Sequence, residues 1–436
     1  MIRSLLLYPA ELIALFAFVL LMVRVRLGPP LLRIVVSYCI IIYIILFFVE
    51  YPEADQLPGA DLFVYWRAGG AWLRGESPYR IKGIVYPPTA APIIALYGLM
   101  SLRIAGAVWI TFNAVASLAL VPLTYLTLKS FKDSTDFRLP PEIVGLLTVL
   151  VSFSFAARAA VVTGQWAFLA LLAVIGALRA QAGGRPIWAG VCLALGTIKA
   201  GVMLPFLLLF HRRRDFLTWV SLGTTALVLC LAMPPVSELP ERCRECLDNI
   251  AAFAGPGGEN DYSYENKNKS YADMIGFDHL LYRIGLRDRS LVRIGQLVGL
   301  LLVGAWVAGQ VIRRPELPWV VKCSYVAFYS PVFLYHRCHD ALILSIPLLY
   351  STSRMRDGQG LVRALHALCA LLILAVLYVR IKLLQQLTLQ FGYADDFRGR
   401  LIEAVILPYC TWFVLIGLAC FTLAESRRAR TVFEAR

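Results

Sequence analysis

Long apolar runs recur through this chain and are parted by short clusters of arginine and lysine. Ile34 to Val49 and Ala404 to Leu423 are two such runs. Each is about as long as a helix needs to cross the hydrocarbon core of a bilayer. In lipid, a backbone N–H or C=O must find its partner within its own segment, so these runs fold as helices. Composition agrees. The chain is 59% hydrophobic and 16% charged, with a mean hydropathy of +0.69, whereas a soluble domain carries about 25% charged residues. The first run, Leu5 to Val23, contains Glu11 and lacks a small-residue cleavage site. It reads as a first span or an interfacial helix rather than a removed signal segment.

The basic clusters are Arg24/Arg26/Arg33, Lys129/Lys132/Arg138, Arg179/Arg185, Arg212/Arg213/Arg214, Arg313/Arg314, Arg354/Arg356/Arg363 and Arg427/Arg428/Arg430. The positive-inside rule assigns all of them to the cytoplasmic side. The net charge of +14 therefore encodes topology. It forms no basic stripe on a soluble domain and does not point to nucleic acid. Runs between successive clusters must cross out and back, which predicts an all-α transmembrane bundle of about 12 or 13 spans. Ala189 to Ile198 and Val202 to Phe210 are short enough to be two half-spans meeting at Lys199, on the outer face. Thr89 to Ser101 is too short to cross and reads as a helix in the outer interface. The chain is then one membrane domain over residues 1–436, with two long outer loops, about 50–103 and about 235–290. Shorter outer turns fall near Gly164, Lys199 and His336, and another loop falls near Asp395. Cys243 and Cys246 stand three apart in a polar segment, as unrelated thiols or a strained local disulfide.

The unusual polar residues converge on that outer face, where groups near membrane depth are costly and are usually paired or functional. In the first loop, Asp61 lies one helical turn before Tyr65, so both share a face. Shielded by Trp66 and Trp72, Asp61 suits a general base; it also suits a helix N-cap after Pro58-Gly59. Gln165 sits after Gly164 at an outer turn, able to bond a sugar hydroxyl or to cap a helix. Lys199 needs an anionic partner, and a lipid phosphate is one; snorkelling is the alternative. The second loop interleaves Asn266, Asn268, Lys267, Lys269 and tyrosines, a mix that suits sugar and phosphate or simply solvent. The segment Ser330 to Asp340 is densest, with His336 and Asp340 four apart and His336 and His339 three apart. That spacing resembles metal ligation but lacks a third ligand, so no metal is assigned. His336 and Arg337 read as contacts to phosphate or sugar, with Asp340 orienting one of them.

Taken in order, these residues resemble glycosyltransferase family 87, in the C-type superfamily of membrane glycosyltransferases. That family includes mycobacterial polyprenol-phosphate-mannose-dependent mannosyltransferases acting on phosphatidylinositol mannosides. The first loop carries the strongest likeness: Asp61, Tyr65, Ala68, Gly75, Pro78-Tyr79 and Tyr86-Pro87-Pro88. Gly164-Gln165, Lys199 with Pro205, Asn268 with Ser270, and Ser330-Pro331 through His336-Arg337 and Asp340 follow. Departures stand at Ala167, Ala200 and His339, where the family often has Asn, Pro and Tyr; they bear on the sugar and acceptor. The resemblance implies a C-type fold in a bacterial plasma membrane, with its site on the outer face. It also implies transfer of a sugar, mannose as in those mycobacterial members, from a polyprenyl-phosphate donor to a glycolipid or glycan. Asp61 is then the catalytic base. Lys199, Lys269, His336 and Arg337 are the phosphate candidates, and Tyr65, Tyr86, Gln165, Asn268 and Asp340 the sugar or acceptor candidates. No cofactor is expected, because the donor already carries a good leaving group. A transporter or lipid flippase remains the alternative, needing a polar path open to each face in turn, as does an inactive family member that only binds.

Overall fold

The computed structural model describes residues 13, 30, 33–41, 60–232, 235–263, 265, 274–334, 336–378, 399 and 402–434. Apart from Ile13, the run Leu5 to Val23 lies outside the described residues. So do Asn268, Lys269 and the loop near Asp395.

The chain is a helical bundle. After the helical residues 33–41 come α1 (Ala60–Leu73) and α2 (Ala91–Gly98). They pack so closely that neither Gly69 nor Gly98 has room for a Cβ, which at Gly98 would stand 2.5 Å from the Gly69 carbonyl carbon. Ser101 caps α3 (Leu102–Lys129) by accepting from the Ile104 N–H. Next come α4 (Pro141–Phe153) and α5 (Phe155–Thr163), bent by 53° at Ser154, whose hydroxyl caps the second helix. They are followed by α6 (Ala167–Ala182), α7 (Pro186–Gly196), α8 (Phe216–Leu231) and the polar-faced α9 (Leu239–Ala254). The short α10 (Phe277–Arg283) leads to α11 (Arg289–Ile312), capped by Asp288. The last four helices are α12 (Trp319–Tyr329), α13 (Ser345–Asp357), α14 (Gly360–Leu377) and α15 (Tyr409–Glu434). The one sheet among the described residues is an antiparallel pair, β1 (Met274–Ile275) with β2 (His336–Arg337).

Six helical stretches among the described residues are long and apolar enough to cross a membrane, or seven if the bent pair α4–α5 is one span. Other described helices are shorter, such as α12 with 11 residues and α13 with 13, and parts of the apolar runs counted toward 12 or 13 crossings lie outside the described residues. Pro186–Leu209 is long enough to cross once, yet it doubles back. A Cβ on Gly196 would stand 3.4 Å from Met203 Cβ, whereas seven residues of continuous helix rise about 10.5 Å. The Phe210 carbonyl then accepts from Trp219 Nε1 at 2.6 Å, and Gln181 donates to Asp215 at 2.9 Å, so the chain returns to the end at which α7 began. Lys199 is at the tip of this re-entrant pair, as its spacing suggested.

The basic clusters that lie among the described residues gather at one end of the bundle. Phe131 stacks on Trp319 at 4.7 Å, and the Trp319 N–H donates to Asp133 at 3.1 Å. Ser353 donates to the Arg138 carbonyl, and Arg428 approaches Asp136 at 3.6 Å. The first loop, the Gly164 turn, Lys199 and the His336 segment contact one another away from that end.

Candidate active site

Asp61 lies in the first turn of α1. Its carboxylate accepts from Gln165 Nε2, a residue that α5 and α6 deliver from across the bundle. Gly164 makes that turn possible. It is left-handed (φ +78°), and its N–H bonds back to the Ala160 and Val161 carbonyls to end α5. A Cβ there would be strained and would stand 2.9 Å from Leu62 Cβ. The Gln165 amide is oriented in turn. The Tyr86 hydroxyl donates to its Oε1 at 3.4 Å, and Tyr86 shares a 2.6 Å hydrogen bond with Tyr65. With its oxygen engaged by a phenol, the amide presents its N–H to Asp61, which is thereby held as an acceptor.

A floor of rings keeps this chain in place. Trp166, with no exposed surface, lies 5.3 Å from Tyr65, 5.4 Å from Tyr97 and 4.8 Å from Trp109 between centroids. Such tilted and edge-on contacts fix ring orientation. Burial pushes the Asp61 carboxyl above its ordinary pKa; the Gln165 hydrogen bond and the charges of Arg337 and Lys199 pull it down without overcoming that rise. A carboxylate of raised basicity, part-exposed and near cations, is the electrostatic signature of a general base.

The cationic half of the site faces it. Lys199 Nζ is 2.5 Å from Asp340 Oδ1, and His336 Nδ1 is 3.1 Å from Asp340 Oδ2. The other His336 nitrogen lies 2.9 Å from the Phe333 carbonyl. One edge of the imidazole lies against Gly201, where a Cβ would stand 2.8 Å from its Cε1. Burial alone would raise the Asp340 carboxyl, but Lys199 and the two histidines hold it well below the usual range. Arg337, one residue along the β2 strand, donates to the Glu259 carbonyl at 3.0 Å and to Asn260 Oδ1 at 3.3 Å. That stretch of the second loop is ordered by Asp261, which accepts from the Gly257 and Ser263 N–H groups and from Arg289.

Of the residues singled out from the sequence, Asp61, Tyr65, Tyr86 and Gln165 form one hydrogen-bonded cluster. Lys199, His336 and Asp340 form another, with Arg337 beside it. One Asp340 oxygen meets Lys199, with His339 3.7 Å away, and the other meets His336. Trp66 donates to the Met100 carbonyl at 2.9 Å, tying α1 to the end of α2. Cys243 and Cys246 are separate thiols, the first exposed and the second buried. Asn268 and Lys269 lie outside the described residues. No group of three histidine, cysteine, aspartate or glutamate side chains placed to hold a metal occurs among the described residues.

Sequence reasoning passed over Tyr97, Trp109 and Trp166, whose rings read as ordinary span residues. It also passed over Asp278, a buried carboxyl at the start of α10 that burial pushes up to about 6 against the hydrogen bond it accepts from the His279 N–H. An aspartate at a helix start reads as a cap, and nothing local signals its burial.

Residues 85–335 match the family model of glycosyltransferase family 87. The chain belongs to glycosyltransferase family 87. More than half of its length lies in the match, which contains Tyr86, Gln165 and Lys199 and stops at the residue before His336. Asp61 precedes it. No curated protein matches the chain. This family 87 member is thus a membrane glycosyltransferase, and the two clusters above are its candidate catalytic centre.

Proposed function

We propose that this protein transfers a sugar, mannose in the first instance, from a polyprenyl-phosphate carrier to a glycolipid or glycan on the outer face of a bacterial plasma membrane. The observation that carries the proposal is the opposition of the two clusters. An amide-oriented carboxylate of raised basicity, Asp61, faces a group of cations and imidazoles that includes Lys199, Arg337 and His336.

The chemistry needs both halves. The acceptor hydroxyl gives its proton to Asp61 as its oxygen forms a bond to the anomeric carbon. The carbon–oxygen bond to the carrier phosphate breaks, and its electron pair leaves with the phosphate. Arg337 and Lys199 neutralise the charge gathering there, in a setting where such preorganised groups act far more strongly than in water. Lys199 has three N–H donors and can hold Asp340 and a phosphate oxygen together. Lys269, on the same loop as Asn268, is assigned to the same phosphate, and Asn268 to the sugar or acceptor, on the family likeness alone. Tyr65, Tyr86 and Gln165 present hydroxyl and amide groups to the sugar or acceptor. A second carboxylate in nucleophile position, as retaining glycosidases use, is not needed, because the donor's phosphate is already a good leaving group.

The test is a donor panel with purified protein in lipid nanodiscs and envelope glycolipid acceptors. Transfer is expected from polyprenyl-phosphate-mannose and not from nucleotide-linked mannose. Transfer from the nucleotide sugar alone, or steady carrier-lipid translocation without transfer, would remove the proposal.

A further inference from the structure

We propose that α9, from the second loop, is a strap that holds the catalytic loop in register, and that Asn249 is its positioning residue. The inference rests on the reading of Asp61 as the base. It goes beyond that reading by assigning work to a helix that touches none of the reacting groups.

The helix has an unusual orientation. Arg242, Cys246 and Asn249, spaced four and three apart, share one face, and that face is turned onto the protein. Arg242 is 1% exposed despite its charge, while Leu247, on another side of the helix, is 65% exposed. A buried polar face needs partners, and most of them here come from one segment; of the Arg242 nitrogens Nη2 is bonded, to that segment and to Glu238, while Nε and Nη1 are not. Arg242 donates to the Gly75 carbonyl at 3.2 Å, and Ser77 donates to Glu245. Asn249 Nδ2 donates twice, to the Tyr79 carbonyl at 2.7 Å and to the Ile84 carbonyl at 3.1 Å. The Cys246 thiol donates to the Tyr86 carbonyl at 3.3 Å, and the Tyr79 hydroxyl donates to that carbonyl at 3.0 Å.

Asn249 therefore brackets the turn from Tyr79 to Ile84, two residues before Tyr86. The Tyr86 phenol is the group that orients Gln165, and Gln165 orients Asp61. The strap reaches the base through four links in series: Asn249 fixes the turn, the turn fixes Tyr86, Tyr86 sets the amide, and the amide sets the carboxylate. One-ångström losses of position at the end of such a chain are enough to slow a reaction without weakening binding.

The test pairs hydrogen exchange with kinetics in the full-length protein. Asn249→Ala removes both donors, and Asn249→Asp keeps the shape but offers only acceptors to two carbonyls. Glu241→Ala, on an exposed side of the same helix, is the control. Both Asn249 variants are expected to exchange about tenfold faster over residues 79–86, with other helices unchanged. Their kcat is expected to fall about tenfold, with KM for the lipid donor within about twofold. The control should match wild type in both readouts. The strap is refuted if exchange over 79–86 is unchanged in both variants, or if it quickens while kcat holds. If wild type transfers no sugar, the proposed function fails, and the exchange result alone decides whether α9 holds the loop.

Discussion

Asp61→Asn is expected to lower turnover by about a thousandfold, in the upper part of the range lost when a positioned general base is removed, while leaving the protein folded. Asparagine keeps the shape and can still accept from Gln165, so the cluster with Tyr86 stays intact, but it cannot take the acceptor's proton. Stability should not suffer, and the sign can be worked out. The Asp61 carboxyl is raised above its unfolded value, so the stability it contributes is fully present below the unfolded pKa and is lost as pH rises through the folded one. At neutral pH an uncharged residue has none of that to lose. The same direction sets the pH dependence. Only the ionised base works, so kcat/KM falls on the acid side through a pKa higher than the ordinary value of about 3.9. The checks are steady-state transfer against pH for wild type and thermal unfolding of both proteins. A variant that transfers at the wild-type rate removes Asp61 from the mechanism.

Lys199→Ala and Asp340→Ala are each expected to destabilise the protein by about 3–5 kcal/mol, because each leaves a buried charge without its partner. The pair is 2.5 Å apart, with side chains 11% and 8% exposed, too buried for water to compensate. Exposed ion pairs contribute a small fraction of that. The double variant Lys199→Met/Asp340→Leu should recover most of the loss, since exchanging both charges for apolar groups of similar volume is often neutral. It should not recover transfer. In the proposed mechanism the Lys199 cation, at the tip of the re-entrant pair, meets the carrier phosphate, and methionine cannot. Thermal unfolding separates the two effects. A double variant as unstable as the singles would show that the pair's surroundings, rather than its charges, set the cost. A double variant that transfers normally would take Lys199 off the phosphate.

The broad architecture was legible because the membrane makes it so. Backbone groups in lipid have one solution, and arginine clusters mark one side of it. The re-entrant turn at Lys199 was legible for a similar reason: its two apolar legs are too short to cross separately and are followed by three arginines that must return. Asp61 stood out as a carboxylate among tyrosines and tryptophans in a loop. What local pattern could not show is who touches whom. Gln165 meets Asp61 from 104 residues away, Lys199 meets Asp340 from 141, and Asn249 meets Tyr79 from 170. Those contacts are set by how helices pack, not by spacing along any of them. The pairing of Met274–Ile275 with His336–Arg337 was equally hidden, since two-residue strands carry no periodicity.

The central claim is that one base and one departing phosphate suffice, with the acceptor oxygen displacing the phosphate directly. The measurement that tests it most directly is the anomeric configuration of the transferred sugar, read by nuclear magnetic resonance on product made by the purified protein from a donor of known configuration. The account predicts a product linkage of the opposite configuration to the donor. A product that keeps the donor's configuration would require a second nucleophile on the protein and would contradict the single displacement built around Asp61.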